Sequence, residues 1–148
     1  MAELEIRPLG PADSAGWEPL WAGYLAFYKA SVPPEVTATT WARLMDPAEP
    51  MHAMGCFDVE TLIGIVHYIF HRSTWTTGNY CYLQDLFTAE AARGRGAGRK
   101  LIEAVYDRAR DAGASRVYWL THDTNATARA LYDKLADRPG FIQYRKVL

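Results

Sequence analysis

The chain has only two cysteines in 148 residues, Cys56 and Cys81. That is too few for a secreted disulfide scaffold, and both are expected to be reduced, half-buried thiols. A long hydrophobic run is also lacking. The longest apolar stretch, residues 62–70, is broken by Gly64 and His67 and falls far short of the ~20 residues that cross a bilayer. Neither sign of charge dominates. Sixteen basic residues stand against 17 acidic ones, for a formal net charge of −1. This argues against a nucleic-acid coat and against a polybasic membrane binder. The opening Met1-Ala2-Glu3-Leu4-Glu5 lacks the basic and then apolar pattern of a secretory leader. The expectation is a soluble cytoplasmic protein with no nucleic-acid and no membrane partner, in which the sequon Asn125-Ala126-Thr127 carries no meaning. Internal repeats, low-complexity segments and linkers are missing too.

What is present is ordinary globular material, 49% hydrophobic and 22% charged. A chain of this length buries roughly two-thirds of its unfolded surface and needs no metal or disulfide staple. It reads as one domain over residues 1–148. Alternation over residues 4–9 suits a first strand. Asp13 or Ser14 can cap a helix running to about Ala30, with Trp17, Leu20, Trp21, Tyr24, Leu25, Phe27 and Tyr28 as a broad apolar stripe. After Pro33-Pro34 a short helix covers 35–45. Residues 51–59 and 62–71 read as a hairpin, and 80–87 as a third strand of the middle region. An amphipathic helix follows, with Leu101, Ile102, Val105, Tyr106 and Ala109 on one face and Gly113 at its C′ position. A short strand (117–120), a helix (125–136) and a last strand (141–147) complete the order β-α-α-β-β-β-α-β-α-β.

The most informative segment is Arg93-Gly94-Arg95-Gly96-Ala97-Gly98-Arg99-Lys100. It lies between a strand and a helix, where free backbone N–H groups and the helix dipole hold anions. A Walker loop is excluded because Lys100 is followed by Leu101 rather than Ser or Thr. A dinucleotide fingerprint needs glycine at position 99 or 101, and finds Arg99 or Leu101. The pattern Arg/Gln-x-x-Gly-x-Gly/Ala does fit, through Arg93, Gly96 and Gly98.

That pattern resembles the pyrophosphate loop of the GNAT superfamily of acetyl-CoA-dependent N-acetyltransferases, and the resemblance covers most of the chain. Tyr82-Leu83-Gln84-Asp85-Leu86-Phe87-Thr88 resembles the strand before the loop. Asn125, Ala128 and Leu131-Tyr132 resemble the motif of the C-terminal helix, with Asn125 and Tyr132 at the family's spacing. Gly140-Phe141 resembles the opening of the last strand. The segment from Cys81 to Lys146 is most similar to polyamine- and thialysine-type acetyltransferases and their yeast histone/polyamine-type relatives. The resemblance implies a mixed α/β fold, with a mostly antiparallel central sheet flanked by helices. It implies acetyl transfer from acetyl-CoA to a primary amine by direct attack, with no metal, and a homodimer joined through the last strand, residues 141–148.

Direct attack sets three demands. The amine must be neutral, which for a lysine-like group of pKa near 10.4 costs roughly 4–5 kcal/mol at pH 7. The oxyanion needs donors, and the departing thiolate benefits from a proton. By resemblance, Tyr132 is that proton donor. Leu86, Phe87 and Thr88 would run along the pantetheine arm as an added strand does, with the N–H near Leu86 as an oxyanion donor. Arg93, Gly94, Arg95, Gly96, Ala97, Gly98 and Arg99 would hold the pyrophosphate, largely through backbone N–H groups, with Lys100 as a further source of charge. Asn125 and Tyr132 would face the cofactor from the last helix. Tyr24, Tyr28 and Gln84 are candidate acceptor-binding residues.

The proton acceptor is the point of departure. Relatives of the polyamine type often carry glutamate at the position of Gln84, and glutamine cannot take a proton. Asp85 is the neighbouring candidate, but strand alternation places adjacent residues on opposite faces. His67 and His71 share a strand face, yet zinc would require further ligands. His122-Asp123 suits a loop or cap, and Cys81 has no evident base. Acids are sparse in the acceptor region, essentially Glu35 and Asp46, so an acceptor less cationic than a polyamine is expected. A small-molecule amine is favoured over a lysine-containing peptide. The alternative is an acyl-CoA-binding regulatory module with little turnover, which Gln84 favours and Tyr132 opposes.

Overall fold

A computed structural model of the chain describes residues 3–148. The chain runs β1 (Leu4–Pro8), α1 (Ser14–Phe27), α2 (Pro34–Met45), β2 (Met51–Asp58), β3 (Thr61–His71), β4 (Tyr80–Thr88), α3 (Ala97–Asp111), β5 (Val117–Tyr118) and α4 (Ala126–Leu135). The strands form one sheet in the order β1-β2-β3-β4-β5. Every neighbouring pair is antiparallel except β4 and β5, which are parallel. The mixed, mostly antiparallel architecture expected from the sequence is therefore the one observed.

Each face of the sheet carries its own core. On one face α3 packs Leu101, Ile102, Val105 and Ala109 against Met54, Cys56, Val66, Cys81 and Leu83. On the other, Trp17 and Leu20 of α1 and Leu44 of α2 cover Ala53, Phe57 and Ile65. Both cysteines are buried free thiols, and burial pushes the Cys81 thiol up to about 12. Helix α1 approaches the sheet closely at Gly23. A Cβ there would lie 2.9 Å from the Phe87 ring, so the absent side chain lets the end of α1 rest on β4.

Three sequence expectations are corrected. Helix α1 ends at Phe27 rather than Ala30, because Lys29 takes a positive φ of 54°. Asp13 stands at the N-cap of α1, but its carboxylate accepts from Arg7 Nη1 (3.0 Å) and Gly10 N–H (2.7 Å) instead of from the helix. The last strand does not form. Residues 136–148 carry no helix or strand, and Phe141, Ile142, Tyr144 and Val147 are 76–90% exposed. A strand needs a partner edge for its backbone groups, and this segment has found none within its own chain.

Candidate active site

The site begins with a divergence of two strands. β5 pairs with β4 only at Cys81–Val117 and Tyr82–Tyr118. Beyond that point β4 remains paired to β3 through Thr88, while its other edge has no strand beside it. Backbone donors and acceptors along Leu83 to Thr88 are thereby left for a ligand that can pair as a strand would. A groove of about 570 Å³ occupies the opening. Leu86, Phe87 and Thr88 form one wall, Asn125, Leu131 and Tyr132 the other, and the glycine loop closes one end.

The loop's shape follows from its glycines. Gly94 and Gly96 have φ of 75° and 77°, and a Cβ at either position would meet nothing within 4 Å. The requirement is thus conformational, not steric. Gly96 is the N-cap of α3. The first-turn N–H groups of Ala97, Gly98 and Arg99 have no acceptor inside the helix, and these three residues line the groove. The dipole of a 15-residue helix adds partial positive charge at the same place. Arg93 and Arg99 also line the groove, Arg99 beside Glu103 at 3.4 Å. Arg95 is turned away, with Nη1 2.9 Å from Asp58 on β2, and Lys100 acts on Cys56 beneath the helix. The basic run divides between the groove and the fold. Asn125 lines the groove while its side chain accepts from Ala128 N–H to cap α4.

The other half of the site is built on a β-bulge. His67 pairs with Asp85 and Tyr68 with Leu83, so β4 carries one extra residue, Gln84. Leu83 and Leu86 both pack on the α3 side. The two residues between them share the opposite face, contrary to the alternation expected from the sequence. Gln84 is exposed and Asp85 is mostly covered. The Asp85 carboxylate is met by His67 Nδ1 at 2.9 Å and by the Tyr24 hydroxyl. His67 is itself buried, and its Nε2 lies 2.9 Å from the indole nitrogen of Trp17.

Tyrosines surround this carboxylate. Burial and then the Asp85 charge raise the Tyr24 phenol well above its ordinary value, and the same two causes act on Tyr28 and Tyr82. On the groove side, burial and then Tyr28 raise the Tyr132 phenol. Tyr28 thus interacts with both Asp85 and Tyr132. Behind Tyr82, the Tyr118 ring stacks at 5.0 Å and its hydroxyl donates to His71 Nε2 at 2.6 Å.

Of the residues singled out from the sequence, the structure brings Leu86, Phe87, Thr88, Arg93, Gly94, Gly96, Ala97, Gly98, Arg99, Asn125, Tyr132 and Tyr28 to one groove. Tyr24 and Asp85 meet beside it, whereas Arg95 faces Asp58. Sequence reasoning missed the linkage of Trp17 and His67 to Asp85. The available signal was a histidine on the inward face of an otherwise apolar strand, a position that demands a polar partner. Among the described residues no group of His, Cys, Asp or Glu is arranged to hold a metal ion, and no helix is long and apolar enough to cross a membrane.

A groove closed by the glycine loop and a covered carboxylate among tyrosines thus lie side by side. Residues 17–136 match the Acetyltransferase (GNAT) family, and the chain belongs to that family. It is an acetyl-CoA-dependent N-acetyltransferase acting on an amine. It is 40% identical over 145 residues, 97% of this chain and 90% of the relative, to the D-amino-acid N-acetyltransferase HPA3 of Saccharomyces cerevisiae. It is 36% identical to the thialysine N-epsilon-acetyltransferase of Sus scrofa, over 62% of this chain and 53% of that protein. A solved ribosomal-protein-alanine N-acetyltransferase from Brucella melitensis superposes with a TM-score of 0.83 at 20% identity, covering 99% of this chain and all of that one. AAC(6')-Iy, solved with a CoA-linked bisubstrate analogue, gives 0.83 at 16% identity, with coverage of 99% and 100%. These two structures share the fold.

Proposed function

We propose that this N-acetyltransferase acts on the amine of a free amino acid, with Asp85 as proton acceptor and Tyr132 as proton donor. The observation that carries the reading is the placement of Asp85, a single covered carboxylate ringed by Tyr24, Tyr28 and Tyr82 beside the groove. One negative charge in an aromatic pocket suits one ammonium group, not a polycation. Glu35 and Asp46 lie on and just after α2 rather than among these tyrosines. The 40% identity to a D-amino-acid N-acetyltransferase supports the same class and makes D-amino acids the first acceptors to test.

The groove fits acetyl-CoA in three respects: the loop with its N–H groups and two arginines for a pyrophosphate, the free β4 edge for a pantetheine arm, and Tyr132 at the inner wall. Bound there, acetyl-CoA supplies the thioester carbonyl that is attacked. Asp85 takes the proton lost by the ammonium group, and the free amine nitrogen bonds to the carbonyl carbon. An N–H of the open β4 edge near Leu86 stabilises the oxygen as charge develops. As the C–S bond breaks, the Tyr132 hydroxyl gives its proton to sulfur, and the surplus proton on the nitrogen of the collapsing intermediate returns through solvent to the phenolate, leaving the neutral amide. Burial favours the neutral phenol, so that proton is present across the working range.

The exposed residues 141–148 support a homodimer in which this segment pairs with a second copy. The two free thiols suit a cytoplasmic location. The test is thiol release from acetyl-CoA with D- and L-amino acids, lysine, thialysine, polyamines, aminoglycosides and a histone-tail peptide. Turnover confined to amino acids is the expected result. Turnover only with polyamines or the peptide overturns the acceptor class, and acetyl-CoA binding without any turnover favours a regulatory module. Sedimentation showing only monomer at micromolar concentration removes the dimer.

A further inference from the structure

The linkage behind Asp85 bears on the reaction, although His67 does not line the groove. An indole N–H can only donate. With Trp17 Nε1 2.9 Å from His67 Nε2, that ring nitrogen must accept, and the imidazole proton resides on Nδ1. Nδ1 lies 2.9 Å from Asp85 Oδ2, so the N–H donates to the carboxylate. A protonated imidazolium would set N–H against N–H at Trp17. The indole therefore selects one neutral tautomer out of three protonation states.

We propose that His67 is a positioning residue for Asp85, locked by Trp17 as the neutral Nδ1–H tautomer so that it holds the carboxylate aimed at the acceptor amine. The inference rests on the reading of Asp85 as proton acceptor. His67 provides what a base next to phenols needs. A donor to one oxygen favours the charged form and fixes the rotamer, while the neutral ring leaves the net charge of the pocket at that of Asp85 alone. A cationic partner would attract the carboxylate's charge away from the incoming ammonium.

The surrounding packing supports a fixed ring. His67 lies against Trp17 and Trp21 of α1, with centroids at 6.0 and 5.4 Å. Trp41 of α2 closes on Trp17 at 4.9 Å. The ionisable groups facing Asp85 are His67 from β3, Tyr24 and Tyr28 from α1, and Tyr82 from β4. Tyr118 of β5 stands behind Tyr82. Each tyrosine named is shifted upward and stays a neutral phenol.

Two measurements test the proposal. The first is nitrogen NMR of the wild-type imidazole between pH 6 and 8. The expected signature is a protonated Nδ1 and a bare Nε2 throughout, with loss of that fixed tautomer in Trp17→Phe. A protonated Nε2 or an imidazolium in the wild type overturns the proposal without touching the role of Asp85. The second is kcat at pH 7, with KM for acetyl-CoA alongside. His67→Leu should lower kcat about tenfold, since the hydrogen bond that fixes the carboxylate is gone. KM for acetyl-CoA should stay unchanged. His67→Asn, whose amide can donate near the Nδ1 position, should restore most of that loss. An unchanged kcat in His67→Leu, or no difference between the two variants, overturns the proposal. If the tautomer is as expected but Asp85→Asn keeps the wild-type kcat, the assignment of Asp85 as base is what fails, and the positioning role falls with it.

Discussion

The two faces of the sheet use the same strands for different ends. Every buried residue in the α3-side core is hydrophobic, from Met54 and Val66 to Leu101 and Val105. The α1 side holds His67, the buried polar residue of the described core, and links it to Asp85 and Trp17. Apolar packing is tolerant of rearrangement so long as volume is kept. A buried polar group is not, because each partner removed leaves another unsatisfied. The comparison teaches that the α3 face is buried by apolar side chains alone, whereas the α1 face adds to its apolar core the polar linkage that reaches Asp85.

The sharpest test of this division is Asp85→Asn. We expect a loss of roughly 10³-fold in kcat, within the range of a removed general base, at nearly unchanged melting temperature and acetyl-CoA affinity. On the other face, Leu101→Ala should reverse the pattern. It deletes a fully buried side chain and should lower stability by about 3 kcal/mol in denaturant titration, while kcat remains in place at 25 °C. A coupled loss of both quantities in either variant would break the comparison. Tyr132→Phe, in the groove, should reduce kcat by about 10²-fold, at the low end for proton transfer, because a thiolate is already a fair leaving group. Its upward shift predicts the alkaline side of the wild-type profile to be free of a Tyr132 limb below pH 10, read from kcat at saturating amine.

The smallest effect belongs to the entrance of α1. Asp13→Ala removes the carboxylate shared by Arg7 and Gly10 and should cost about 1 kcal/mol at pH 7. The Arg7 hydrogen bond is the main reason the folded-state pKa of Asp13 is lowered. Its contribution is therefore complete above the unfolded-state value near 4, and vanishes as pH falls through the folded-state value. Urea unfolding of the two proteins should converge at low pH.

Local patterns were legible and distant pairings were not. The glycine loop, the start of α3 and the apolar stripe of α1 all lie within short windows, where spacing reports backbone shape. The bulge at Gln84 changes register with β3 and has no composition mark, so alternation misassigned the faces of Gln84 and Asp85. The basic run from Arg93 to Lys100 looked uniform, yet Arg95 is drawn to Asp58, 37 residues earlier. The last strand showed a proper pattern but has no edge to join in its own chain.

By itself the sequence determined the order of elements from β1 to α4, the glycine-rich loop ahead of α3, and the family those imply, because each depends on neighbours in the chain. Tertiary structure decided which carboxylate lies covered among the tyrosines. Trp17, His67 and Asp85 are separated by 50 and 18 residues. They meet only because α1 lies across the sheet and a bulge turns Asp85 toward it. A proton's place on one imidazole nitrogen is set by that meeting, and no local window contains it.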